Sequence, residues 1–229
     1  FDLNLHTARL LMQEPFFAAL SRRIDKVPSP QVPTAGVRVN PDTAQFELLY
    51  NPEFMGALSD KHKLGVLMHE FYHIVLEHVT SRKPDEGIRQ IDNIAMDLAI
   101  NSLHEMDGKL PCEADPCPVL TEGGEPMRAC LPGEGKFADL PPRKTYEWYL
   151  AALEKMQEEA KQNGESNPFE GEDSFDDHDG FGEGGGNEVA NEIAKERMKD
   201  ALKKAAEEAD KAGNWGSVSH GMKKSIKDR

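Results

Sequence analysis

The segment His69-Glu70-Phe71-Tyr72-His73 has two imidazoles and a carboxylate at a spacing that allows them to act on one metal ion. Helical residues turn by about 100° each, so side chains four apart differ by only about 40° and both imidazoles leave the same side. Two such nitrogens are typical ligands of a tetrahedral Zn²⁺ that keeps one position open for water. Zinc lowers the pKa of that water, and Glu70 lies beside the first ligand, where it can take the proton.

The residues around this motif are apolar, including Leu67, Met68, Ile74 and Val75. Ionisable side chains on a buried helix cost free energy unless a partner compensates their charge, and metal coordination does so. The pattern therefore favours a metal site over the alternative, which is a chance occurrence of the motif on a solvated helix face.

Asp97 is the predicted third ligand. Asn93, Asp97 and Asn101 are spaced four residues apart and form a polar stripe on an otherwise apolar helix. A lone buried carboxylate is costly, whereas one that faces Zn²⁺ between two amides that fix its rotamer is compensated. The alternative is that Asp97 orients His69 or His73 without binding the metal.

Two other histidines compete for the same role. His178, in an acidic segment that ends Asp176-Asp177-His178, is the alternative third ligand, or a donor to the transition state. His78 comes nine residues after His69, which is about 180° around a continuous helix. Because no glycine lies between them to bend the chain back, we expect His78 to pack against the site or to orient a ligand.

The hydrophobic pattern predicts the elements that must position these residues. Ser59 is the expected N-cap of the helix that carries the motif. A period of two between Gly36 and Tyr50, interrupted by the turn Asn40-Pro41-Asp42, predicts a β-hairpin. The predicted fold class is α+β, mainly helical, with a small β-hairpin or sheet. Helices are predicted over residues 4–13, 15–24, 59–79, 88–106, 145–160 and 187–212.

Charge divides the chain into parts. Of the formal net charge of −14, residues 154–188 carry −10, so the rest is nearly neutral. We expect a domain at 1–160 and a flexible acidic insert, a candidate lid, at 161–187. A C-terminal helix within 188–229 is expected to pack on the domain and to lead to a downstream domain that is absent or truncated here.

Composition excludes several classes of protein. Lysine and arginine are not clustered, which argues against a nucleic-acid partner. No apolar stretch is long enough to span a bilayer, so no membrane association is expected. Cys112, Cys117 and Cys130 are too few for a disulfide scaffold, and a cytoplasmic location is expected. Together with His104 they lack the C-x-x-C spacing of a structural zinc site, which is therefore not favoured.

Further motifs precede and follow the metal motif in a fixed order, and together they are far more specific than H-E-x-x-H alone. They resemble the metallopeptidase domain that precedes a von Willebrand factor A-like domain in bacterial and phage proteins. The matching segments are Asn51-Pro52-Glu53-Phe54, His69 to His73 with His78, Asn93 to Asn101, Cys130-Leu131-Pro132-Gly133, Asp139-Leu140-Pro141, Thr145 to Tyr149, Asp176-Asp177-His178 and Gly216 to Met222.

The resemblance implies a zincin-like fold, Zn²⁺ and peptide-bond hydrolysis. In thermolysin-type zincins the third ligand is a glutamate four residues before a supporting aspartate. This chain has Asn93 at that place, so Asp97 or another residue must bind instead. By the same analogy the strand 44–50 is expected to be the sheet edge that pairs with extended substrate. Tyr72 is a candidate oxyanion donor, but its position in the motif favours burial.

The sequence therefore predicts a zinc metalloendopeptidase that acts on a peptide or protein substrate, with Glu70 as the catalytic base and His69, His73 and Asp97 as ligands. The alternative is a non-catalytic interaction module stabilised by zinc. Its partner would be a von Willebrand factor A-like domain or an AAA-type ATPase, as the family resemblance suggests.

Overall fold

A computed structural model describes residues 1–82, 87–121, 123–170 and 188–229. The fold is α+β, with helices as the larger part and one three-stranded sheet. In the described part of the chain, no helix is long and apolar enough to cross a membrane. The elements are α1 (Leu3–Leu10), α2 (Pro15–Ser21), β1 (Asp25–Pro28), β2 (Ala35–Val39), β3 (Phe46–Tyr50), α3 (Pro52–Ala57), α4 (Asp60–Val75), α5 (Gln90–Asn101), α6 (Tyr146–Gln162), α7 (Glu188–Lys211) and α8 (His220–Lys227).

The predicted hairpin is confirmed by β2 and β3, which pair antiparallel with Val37 opposite Leu48. The strand β1 was not predicted, because its four residues show no alternation and end in a proline. It pairs parallel with β3, with Lys26 opposite Leu48. Pro28 is tolerated there because β1 is an edge strand, where a missing N–H costs no ladder bond.

The prediction that residues 44–50 form a sheet edge is wrong. The strand order is β1-β3-β2, so β3 lies in the middle and is paired on both sides. The edge strand that contacts the motif helix α4 is β2. Two of its residues, Ala35 and Val37, are only 1% exposed, so this edge is covered rather than open to an added strand.

The helix α4 begins where the sequence predicts and ends earlier. The Ser59 hydroxyl accepts a hydrogen bond from the His62 N–H at 3.2 Å, which confirms the N-cap. The helix ends at Val75 rather than near Val79. Glu77 then adopts a left-handed conformation with φ of 64°, and the chain reverses so that the His78 N–H donates to the His73 carbonyl at 2.9 Å.

The helix α5 is also shorter than predicted, and it ends at Asn101 rather than near Met106. Its start is fixed by Asp92, whose carboxylate accepts from the Arg89 N–H at 2.8 Å and from the Arg89 side chain. A separate turn of 3₁₀ helix follows at His104–Met106. The polar stripe therefore reaches the last residue of α5.

The buried apolar side chains of the described residues form two clusters. The first joins α1, α2, the sheet, α4 and α7, with buried aromatic residues such as Phe17 and Phe71. The second joins most of the apolar side chains of α5 to α6, through residues such as Tyr149 and Leu153. Because α4 belongs to the first cluster and α5 mainly to the second, the contact between these helices links the two.

The C-terminal segment is tied to the first helices of the chain. The Trp215 ring stacks on Phe16 at a centroid distance of 5.2 Å. The Ser217 N–H donates to the Glu14 carboxylate at 2.8 Å. Gly216 has φ of +69°, and a Cβ there would lie 2.2 Å from Glu14 Oε2, so glycine is required for this close approach. The helix α8 follows this contact and begins at His220.

Candidate metal centre

Three side chains from two helices converge between α4 and α5. His73 Nε2 lies 3.0 Å from His69 Nε2 and 3.4 Å from Asp97 Oδ1, and His69 Nε2 lies 3.5 Å from the same oxygen. The side chains of His69, His73 and Asp97 are 3%, 0% and 1% exposed. Among the described residues, no other group of three or more His, Cys, Asp or Glu is close enough to hold a metal ion.

This arrangement fits a tetrahedral metal site. Ligand atoms about 2.0–2.1 Å from a zinc ion at tetrahedral angles are about 3.3–3.4 Å apart, close to the 3.0, 3.4 and 3.5 Å separations seen here. Two imidazole nitrogens and one carboxylate oxygen also form a donor set that zinc takes in catalytic sites. A cation at their centre would compensate the buried charge of Asp97.

The Asn101 amide lies behind His69. Its Oδ1 is 2.6 Å from His69 Nδ1, and its Nδ2 donates to the Cys130 main-chain carbonyl at 2.9 Å. The sequence predicted that this amide fixes the rotamer of Asp97, whereas its two hydrogen bonds join it to His69 and Cys130. The Cys130 carbonyl could not be predicted, because a main-chain acceptor has no residue-type pattern.

His78 lies against the second histidine of the motif. Its Nδ1 is 3.2 Å from His73 Nδ1, and it is fully buried, with its ring 5.8 Å from that of Tyr146. We expected that only a glycine could reverse the chain and return His78 to the motif, but Glu77 makes this turn instead. His78 is outside the group of three metal-ligand candidates found in the described ranges, and it contacts the site through His73.

Glu70 and Tyr72 are the other two polar side chains within the motif. Glu70 is 1% exposed and directly follows His69 on α4. The Tyr72 ring packs edge-on against Phe17 at 5.1 Å. Burial, together with the nearby carboxylates of Glu105 and Glu14, raises the pKa of Tyr72 well above its usual range. The neighbours of Tyr72 are therefore Phe17 on α2, Glu14 at the start of α2 and Glu105 in the 3₁₀ turn after α5.

A structural ion pair lies near the start of the polar stripe. Burial alone would raise the pKa of Asp92, but hydrogen bonds from the Arg89 side chain and main chain outweigh it, so that pKa is lowered. Burial and the Asp92 charge raise the pKa of Tyr146 to about 12. Asn93 is half-buried, and its Oδ1 has no hydrogen-bond partner among the described residues.

The remaining predictions concern the acidic insert and the three cysteines. His178 and residues 171–187 of the predicted insert are outside the described residues, as is the lid that they were predicted to form. Cys112, Cys117 and Cys130 form no disulfide bond among the described residues. In the ranges that the structure covers, no group of metal-ligand candidates contains a cysteine.

Comparison with known proteins agrees with this chemistry. Residues 2–228 match the family model described as "Putative metallopeptidase domain". An uncharacterized protein of Thermotoga maritima is 35% identical over 89 residues, which are 39% of this chain and 22% of that protein, so the match spans about a fifth of the relative. No solved structure matches the sequence. Since the family match extends over nearly its whole length, the chain belongs to this family of metallopeptidase domains.

Proposed function

We propose that this protein is a zinc-dependent peptidase with a zincin-like arrangement, in which His69, His73 and Asp97 hold the metal. The observation that carries the proposal is the convergence of three buried ligand atoms with separations of 3.0, 3.4 and 3.5 Å. Membership of a metallopeptidase family supports peptide-bond hydrolysis as the reaction. Zinc is proposed because its ligand preferences match two imidazoles and a carboxylate.

Each side chain has a defined task in this proposal. When bound, the metal supplies Lewis acidity, which polarises a carbonyl group and lowers the pKa of a nearby water molecule. Glu70 takes the proton of the attacking water and then gives it to the leaving amine. Glu70 directly follows His69 on α4, and its burial protects this proton transfer from bulk solvent.

Replacement of Glu70 by glutamine tests this mechanism. The variant keeps the shape of the side chain but loses the base, so turnover should fall by about 10²–10⁴-fold while zinc content stays at about one ion per chain. The measurement is cleavage of a fluorescently labelled, unfolded protein by zinc-loaded enzyme, with elemental analysis of the same sample. Glu105→Gln, at another buried glutamate, is the matched control and should retain activity. Equal activity of Glu70→Gln and the wild-type protein would rule out this role for Glu70.

A second candidate function is a metal-stabilised interaction module without catalysis. The observation that favours it is burial: His69, His73, Asp97 and Glu70 are all at most 2% exposed, and the neighbouring edge strand β2 is covered. A metal bound there would link α4 to α5, and thereby the first hydrophobic cluster to the second. Its partner would be a von Willebrand factor A-like domain or an AAA-type ATPase. Stoichiometric zinc and zinc-dependent stability, with no turnover by the wild-type chain, would favour this function.

A further inference from the structure

We propose that Asn101 is a positioning residue for the metal, because its amide holds His69 in the tautomer that presents Nε2 to the site. This inference rests on the proposed metal site and adds a residue to it. Asn101 is 4% exposed and is the last residue of α5, four positions after Asp97. One helix thus supplies a ligand and also orients a ligand of the other helix.

The Cys130 carbonyl fixes the orientation of the amide. A main-chain carbonyl can only accept a hydrogen bond, and it lies 2.9 Å from the Asn101 side chain. The NH₂ group of the amide must therefore point to Cys130. Its Oδ1 consequently points to His69, where the distance to Nδ1 is 2.6 Å.

The orientation of the amide in turn fixes the proton on the imidazole. An amide oxygen only accepts, so His69 Nδ1 must carry the hydrogen and donate it. In a neutral imidazole the lone pair then lies on Nε2, the atom that faces His73 Nε2 and Asp97 Oδ1 at 3.0 and 3.5 Å. The opposite tautomer would oppose two lone pairs at 2.6 Å and point an N–H at the metal position.

Because His69 and Asn101 are buried, these hydrogen bonds strongly favour one tautomer of His69. His69 and Asn101 are both nearly inaccessible to solvent, so a rotated ring or amide would lose its hydrogen bond without replacement by bulk water. The Cys130 loop therefore acts on the metal through two successive hydrogen bonds. The loop cysteine takes part through its main-chain carbonyl.

Two substitutions at position 101 separate this role from simple packing. Asn101→Leu keeps the approximate size but removes the acceptor, and zinc affinity should fall by about 10–100-fold. Asn101→Asp keeps an acceptor for His69 Nδ1–H but loses the donor to the Cys130 carbonyl, so its zinc affinity should lie between those of Asn101→Leu and the wild-type protein. Affinity is measured by competition with a chromogenic chelator. In ¹⁵N-histidine NMR spectra of the zinc-loaded protein, the hydrogen-bonded Nδ1–H resonance of His69 should persist in Asn101→Asp and be lost or shifted in Asn101→Leu.

Asn51→Leu is the matched control. The Asn51 amide also bridges two backbone segments, since it accepts from the Glu53 N–H and donates to the Val32 carbonyl, but it caps α3 away from the metal ligands. It should lower stability and leave zinc affinity unchanged.

Wild-type affinity in Asn101→Leu would overturn the inference while the metal site stands. Absence of zinc binding by the wild-type chain would overturn both. If Asn101→Leu does not fold, Asn101→Ala replaces it, because alanine removes the amide without adding bulk, and wild-type zinc affinity in Asn101→Ala would overturn the positioning role.

Discussion

Replacing Asp97 with asparagine is expected to remove the metal from the purified protein. The amide keeps the shape of the side chain but gives up the anionic oxygen that lies 3.4 and 3.5 Å from the two histidine nitrogens. Zinc should fall from about one ion per chain to a small fraction, as measured by elemental analysis. A wild-type site at free zinc 100 times its Kd gains about 2.7 kcal/mol of folding stability, and thermal unfolding with and without chelator should show that gain only in the wild-type protein.

Asp92→Asn is the matched control for this experiment. Asp92 lies on the same helix and is equally buried, but its hydrogen bonds go to Arg89 and Tyr146 rather than to the motif histidines. Its replacement should lower stability and leave zinc stoichiometric. Full zinc occupancy in Asp97→Asn would show that the carboxylate is not a ligand, and would leave orientation of His69 or His73 as its role.

Replacing Gly65 with alanine is expected to disturb the fold and the site together. A Cβ at this position in α4 would lie 2.1 Å from the Lys109 carbonyl oxygen and 2.7 Å from its carbon, so main-chain atoms would have to move. Overpacking of this kind costs about 1–3 kcal/mol and occasionally more. Because Gly65 is one helical turn before His69, the displacement should also weaken zinc binding. Urea unfolding and chelator competition measure the two effects.

Gly221→Ala controls for the general effect of alanine in a helix. Gly221 lies in α8, and a Cβ there would meet nothing within 4 Å. Alanine should stabilise the protein by about 0.4–1 kcal/mol, because it reduces the freedom of the unfolded chain. If Gly65→Ala gave a similar gain, the close approach of the Lys109 backbone to α4 would be refuted.

The spacing of residues along the chain was enough to identify the three metal-ligand candidates. His69 and His73 share a side of one helix because of the helical repeat, and Ser59 marks the start of that helix. Asp97 stood out because a carboxylate in an apolar stretch needs a partner. These inferences depend on neighbours along the chain, which is the information that a single sequence carries most directly.

Features that depend on distant residues were not predictable in the same way. The pairing of β1 with β3 makes β3 a central strand, and nothing in the four residues of β1 indicates its partner. The reversal at Glu77 uses a left-handed conformation that usually requires glycine or asparagine. Helical spacing placed Asn101 on the face of Asp97, but it could not show that the group opposite the amide is His69.

The hydrogen bond from Ser217 to Glu14 joins residues that are 203 positions apart, and this has a consequence for folding during synthesis. Ribosomes add about 5–20 residues per second, so about 10–40 s separate the synthesis of these two partners. Throughout that interval Phe16 lacks the indole ring of Trp215 that covers it in the finished protein. The nascent chain therefore presents apolar surface for many seconds, and we expect chaperones that bind such surface to increase its yield.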